Sequence, residues 1–142
     1  MSKADFYIAQ LKMIPHPEGG YYCETFRSPH QADFIGFEGP RSYATSIYFL
    51  LKEGQTSALH RIKSDEIWYH HDGGTLTIIE IDENHQTQSI ALGKQLHLGE
   101  TLQHVVKAGR WFGAKLPPGS EFCLVGCQVS PGFDFRDFEL KQ

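Results

Sequence analysis

Gly54-Gln55-Thr56-Ser57-Ala58-Leu59-His60-Arg61-Ile62-Lys63-Ser64-Asp65-Glu66-Ile67-Trp68-Tyr69-His70-His71-Asp72-Gly73 is the most informative segment of the chain. Ser57 to Ile62 and Glu66 to His71 each read as a strand, joined by a short polar connection. Residues two apart on a strand point the same way, about 7 Å apart, so positions 60 and 62 look into one interior. The connection returns Glu66 beside them on the neighbouring strand. Three side chains then converge on one point: His60, Ile62 and Glu66.

On either side the chain keeps the same punctuation. Further strands are predicted at Tyr21 to Arg27, Ser42 to Leu51, Thr75 to Asp82, Gln86 to Leu92, Leu102 to Val106, Trp111 to Leu116 and Glu121 to Val129. Tight-turn residues separate them, at Glu53-Gly54, Asp72-Gly73-Gly74, Asp82-Glu83-Asn84, Pro117-Pro118-Gly119-Ser120 and Pro131-Gly132. Gln31 to Pro40 is the one longer irregular segment. Before the strands, Ser2 is an N-cap for a short helix with apolar Phe6, Ile8, Ala9, Leu11 and Met13, stopped by Pro15. Nine short strands after one helix predict an all-β barrel or sandwich in a single domain, helix in 1–14 and barrel in 15–140.

The composition agrees. A chain of 142 residues, 40% hydrophobic and with eighteen aromatics, buries a core with room for a pocket. A net charge of -4 repels phosphate backbones, so no nucleic-acid partner is expected. No run approaches the roughly 20 apolar residues of a membrane span. Three cysteines without a Cys-x-x-Cys pair, and an N-terminus without an apolar signal core, imply a reduced, cytoplasmic protein.

The quoted stretch resembles the first motif of the cupin superfamily: Gly, five residues, His-x-His, three or four residues, Glu, six residues, Gly. Gly54, His60, Glu66 and Gly73 stand at those spacings, with Ile62 in place of the second His. The second motif places a fourth metal ligand, a His, where Lys107-Ala108-Gly109-Arg110-Trp111-Phe112 puts Phe112, and a Pro where this chain has Lys107. The resemblance implies a jelly-roll β-barrel, the double-stranded β-helix. The two substitutions remove metal ligands, so no metal and no cofactor are expected. Three blocks narrow the resemblance: His16-Pro-Glu-Gly-Gly20-Tyr-Tyr-Cys-Glu24-Thr-Phe-Arg27-Ser28, Ser64-Asp65-Glu66-Ile67-Trp68, and Gly126-Cys127-Gln-Val129-Ser-Pro131-Gly132-Phe133-Asp134-Phe135. They look like those of a small, functionally uncharacterised one-domain cupin family that resembles the dTDP-sugar epimerases in fold.

That analogy sets the functional expectation: a metal-independent pocket for a small molecule, a sugar or sugar-nucleotide, with epimerase or isomerase chemistry. Leu59-His60 resembles the context of the epimerases' general base, and Gly20-Tyr-Tyr22-Cys-Glu24 resembles their pocket strand. His60 is expected as base, Glu66 as the group that tunes it and Tyr48 as proton donor. Tyr22, Glu24, Trp68, His70 and Phe112 are expected to line the pocket, with Trp68 and Phe112 also readable as core filler. Where the epimerases carry a phosphate-holding Arg this chain has Gly19, which leaves Arg27, Arg41, Arg61 and Arg110 as sources of charge. His16, His30, His85, His97 and His104 read as loop or surface residues. Three alternatives stand beside this reading. His60 and Glu66 form a structural ion pair, the pocket binds or senses a ligand without turnover, or a metal enzyme persists with a reduced ligand set. Strands apolar on both faces, Thr75 to Ile81 and Phe122 to Val129, imply a homodimer. Light scattering at micromolar concentration is expected to return twice the chain mass, and a monomeric mass sinks the dimer.

Overall fold

Two antiparallel sheets face one another across a core, and the strand alternation decides what each strand sends inward. The computed structural model describes residues 1–142. In chain order the elements are helix α1 (Lys3–Gln10) and strands β1 (Ile14–Pro15), β2 (Tyr21–Arg27), β3 (Gln31–Ala32), β4 (Arg41–Ser42), β5 (Thr45–Lys52), β6 (Thr56–Arg61), β7 (Asp65–Gly73), β8 (Leu76–Ile81), β9 (Thr87–Leu92), β10 (Gln103–Val106), β11 (Trp111–Lys115), β12 (Phe122–Ser130) and β13 (Glu139–Leu140). One sheet runs β1-β2-β5-β12-β7-β10 and the other β13-β6-β11-β8-β9, with β3 and β4 a small separate pair. This is the jelly roll expected from the sequence. The expected strand from Ser42 is in fact β4 and β5, and the irregular segment from Gln31 begins as β3.

The helix starts where Ser2 Oγ accepts the Asp5 N–H at 3.1 Å, satisfying one of the amides that a first turn leaves free. No helix is long and apolar enough to cross a membrane. Instead α1 and the turn after it bury Ala4 and Met13 against Leu50, Phe122 and Leu124. Those three lie on the outer face of β5 and β12, so the second apolar face of β12 is covered from within the chain.

The inner faces meet in a cluster of Phe49, Leu51, Trp68, Leu76, Ile78, Leu92, Val106, Phe112, Ala114, Cys123, Val125 and Cys127. Each large aliphatic or aromatic side chain so buried contributes about 1.5–3 kcal/mol. Cross-strand register arranges them in rows. Phe49 pairs with Val125, which pairs with His70; Ile47 pairs with Cys127, which pairs with Trp68. The apolar rows fill one end of the barrel and leave the other open. Trp68 and Phe112, 6.2 Å apart edge to face and each 1% exposed, make the floor between the two ends. Replacing Phe112 with Ala removes half of that floor. Urea unfolding is expected to show a loss of about 3–5 kcal/mol.

Candidate functional site at the barrel mouth

The open end of the barrel holds a cavity of about 430 Å³. β2 sends in Tyr22 and Glu24, β5 sends Thr45 and Ile47, β12 sends Cys127 and Val129, β7 sends Glu66, and β6 leads in with His60 and Ile62 just beyond its end. Thr45, Val129 and Glu66 are successive cross-strand partners and form one row of its wall. The chain's two ends complete it: His16 and Glu18 come from the turn before β2, and Phe133, Asp134, Phe135 and Phe138 from the segment after β12.

His60 is 3% exposed and fully engaged. Its Nε2 lies 2.6 Å from Glu18 Oε2 and its Nδ1 lies 2.7 Å from the Ala58 carbonyl oxygen. Both ring nitrogens thus face acceptors, the arrangement of an imidazolium donating twice. Burial works against that charge, but the hydrogen bond and field of Glu18 outweigh it and raise the His60 pKa. The Phe112 and Phe138 rings flank the imidazole, with centroids 4.1 Å and 5.4 Å away. The expected partner of His60 was Glu66, and the structure assigns that place to Glu18.

Glu18 reaches His60 because the next two residues are glycines. Gly19 has φ +113°, and a Cβ there would collide with the Thr56 carbonyl oxygen; Gly20 has φ +75°. The turn then sits directly on β6, where the Ala58 N–H donates to Glu18 O at 2.8 Å.

Glu66 is 8% exposed and faces the cavity. Burial raises its pKa to about 7, against the opposing pull of the His60 cation and with the Glu18 charge adding to the rise. The Cys127 thiol and Trp68 indole N–H lie near enough to favour its anion, although the indole itself makes no well-formed hydrogen bond. A carboxyl half-ionised at neutrality and facing a cavity is equipped to take or give a proton.

The other expected residues divide. Tyr22 and Glu24 are on the cavity wall, Glu24 held by Arg27 at 2.6 Å. Tyr48 is on the outer face of β5, because Ile47 and Phe49 take the inward positions; it packs beside Leu50 and His71. Trp68 and Phe112 lie beneath the cavity in the core. His70 points inward beyond them, its Nε2 2.9 Å from the Gly74 carbonyl oxygen, too deep to meet a ligand at the mouth. Two histidines assigned to loops or surface are instead structural neighbours of the interior. His16 lines the cavity, and His104 Nε2 lies 2.7 Å from the buried Glu80.

Sequence reasoning missed Glu18 and the roof of three phenylalanines. The roof is held by Arg41, whose Nε and Nη2 donate to the two oxygens of Asp137 at 2.9 Å each, in a pair almost wholly buried. Phe133, Phe135 and Phe138 pack edge to face against one another. Arg41 is therefore a staple, and Arg27, Arg61 and Arg110 likewise have carboxylate partners at 2.6–2.8 Å. The visible signals were the blocks His16-Pro-Glu-Gly-Gly20 and Pro131-Gly132-Phe133-Asp134-Phe135.

Residues 5–141 match the family described as Cupin superfamily (DUF985). The chain is 30% identical to uncharacterized protein YML079W of Saccharomyces cerevisiae, covering 92% of this chain and 71% of that one. Among solved structures, a hypothetical protein from Leishmania major superposes with a TM-score of 0.92 at 38% identity, covering 99% of this chain and 88% of that one. Protein SO0799 from Shewanella oneidensis gives 0.89 at 42%, covering 100% and 86%. Bacillus subtilis oxalate decarboxylase, a protein with Mn(II) centres, shares the fold at a TM-score of 0.63 and 15% identity, over 92% of this chain and 30% of that one.

Because the native state holds a proton on Glu66 that the unfolded chain releases near 4.5, stability falls as pH rises from there to about 7. The raised pKa of His60 acts in the same sense, its contribution disappearing as pH climbs through the folded value. Glu66→Gln removes the carboxyl term. Urea unfolding from pH 5 to pH 8 is expected to show the variant gaining on the parent, by up to about 3 kcal/mol at the alkaline end. Parallel pH profiles refute it.

Proposed function

We propose that this chain, which belongs to the DUF985 family of the cupin superfamily, binds a sugar or similar polyhydroxy carbonyl compound in its barrel cavity and moves a proton on it without a metal, as an epimerase or isomerase does. The observation that carries the reading is Glu66: a carboxyl with no salt-bridge partner, buried, facing the cavity and ionising near 7. It replaces His60 as base, since neither nitrogen of His60 has a free lone pair. Tyr22, Phe133, Phe135 and Phe138 offer apolar faces to the carbon skeleton, and the carboxylates accept from hydroxyl groups. Four carboxyl groups line the cavity, at Glu18, Glu24, Glu66 and Asp134, against the cations Arg27 and His60. That balance favours the sugar part of a ligand inside and keeps a diphosphate out.

The donor set argues against a metal. Of the positions where metal-binding cupins place ligands, Ile62 and Phe112 have no donor atom, and the His60 nitrogens face a carbonyl and a carboxylate. Glu66 alone is free, and transition metals are held by three or four protein ligands. The engagement of His60 also favours a second reading, a ligand-binding or sensing protein without turnover, in which Glu66 serves only as a hydrogen-bonding group.

A thermal-shift screen against sugars, nucleotide sugars and organic acids tests the binding. A sugar at a hundred times its Kd is expected to add about 2.7 kcal/mol of stability, and the gain is expected to vanish in Glu66→Ala. Stabilisation by organic acids alone contradicts the sugar reading. Elemental analysis of protein purified without chelators is expected to find metal well below one ion per chain; stoichiometric manganese, iron or nickel overturns the metal-free mechanism.

A further inference from the structure

His16 has a place in the cavity that the reaction above leaves unused. Its ring is side-on to Tyr22 at 4.6 Å and edge-on to Phe49 at 5.9 Å, so its orientation is set by packing. Its Nδ1 accepts the backbone N–H of Glu18 at 3.0 Å. A backbone amide can only donate, so Nδ1 carries the lone pair and the ring proton is on Nε2. Nε2 has no protein partner, yet it is not sealed in the interior, and the space the ring lines is the cavity. The charged groups that face the ring are Glu18 and His60, with Tyr22, Phe49, Phe135 and Phe138 as its aromatic walls. Burial, helped by the His60 cation and opposed by Glu18, lowers its pKa, which keeps it neutral at physiological pH.

We infer that His16, as a neutral imidazole with a fixed Nε2–H, is the hydrogen-bond donor to the carbonyl oxygen of an α-hydroxy aldehyde or ketone whose neighbouring C–H proton Glu66 removes. The inference rests on the proton-transfer reading of Glu66 and names the substrate class that reading requires. The Glu66 carboxylate takes the proton, and the C–H electron pair becomes the C=C bond of an enediolate. The former carbonyl oxygen carries the negative charge, held by the Nε2–H. Return of the proton from Glu66 to the adjacent carbon, with the hydroxyl proton passing to the other oxygen, gives the isomeric carbonyl compound. No oxidant, reductant or second substrate is consumed. A neutral imidazole suits this task because an imidazolium would surrender its proton to the oxyanion outright.

The test uses the full chain with glycolaldehyde, dihydroxyacetone, D-xylose and D-ribulose in deuterium oxide, following by NMR the exchange of the hydrogen beside the carbonyl. The unsubstituted protein is expected to catalyse exchange with at least one of them, and Glu66→Gln to abolish it. His16→Phe preserves the aromatic packing and removes the donor; it is expected to slow exchange about 10²–10³-fold, mainly in kcat. Nitrogen-15 spectra of the His16 ring, which need no variant, are expected to show protonated Nε2 and bare Nδ1 from pH 6 to 8. Exchange that persists undiminished in His16→Phe, or a ring protonated at Nδ1 near pH 7, overturns the role of His16 and leaves Glu66 standing. No exchange with any of the four compounds overturns the proton-transfer reading and this inference with it.

Discussion

A carboxylate and an imidazole 2.6 Å apart, with side chains 7% and 4% exposed, set the constraint on which the cavity depends. Isolated buried charges are very costly, and removing one member of such a pair typically costs about 3–5 kcal/mol. Glu18 and His60 are therefore obliged to stay together, and that obligation brings the turn before β2 onto β6. The same turn carries His16 and presents the Glu18 amide that settles its tautomer. It also fixes the electrostatics of Glu66, whose ionisation is opposed by the Glu18 charge and assisted by that of His60. One contact thus governs the protonation of three side chains around one cavity.

The apolar architecture works to the same end. Trp68 and Phe112 close the barrel below the cavity, so the interior beyond them is packed core. Above, the Arg41–Asp137 staple ties the C-terminal turn down and puts Phe133, Phe135 and Phe138 around the opening. A second buried pair, Glu80 with His104, joins the two sheets on the far side of Phe112, where Glu80 and Phe112 are cross-strand neighbours. It faces no part of the cavity wall. His60 with Glu18 and His104 with Glu80 are both close histidine–glutamate pairs, and their surroundings separate a site from a bolt.

Much of this was legible in the chain. Strand positions followed from alternation and turn residues, and the shared interior of positions 60, 62 and 66 followed from strand geometry. Tyr48 shows where such reading stops. Ser46-Ile47-Tyr48-Phe49-Leu50-Leu51 is apolar on both faces because α1 covers the outer one, so its pattern does not say which face is inside. The inward face was fixed by cross-strand register with β12, a pairing between distant segments. Trp68 and Phe112 could be read as core or as pocket lining, since facing inward does not distinguish a cavity wall from the packed core below it.

The strand positions along the chain, the helix cap, the absence of donor atoms at Ile62 and Phe112, and a pocket near His60 could all be read from the residues. Those are properties of local pattern, carried by residues a few positions apart. That Glu18 holds His60, that Glu66 has no salt-bridge partner, and that His16 faces the same cavity came only with the packed fold. Contacts of that kind join segments far apart in the chain, and no periodicity encodes them. Only Gly19 and Gly20 hinted at the outcome, as two residues without side chains where a turn had to lie flush against a strand.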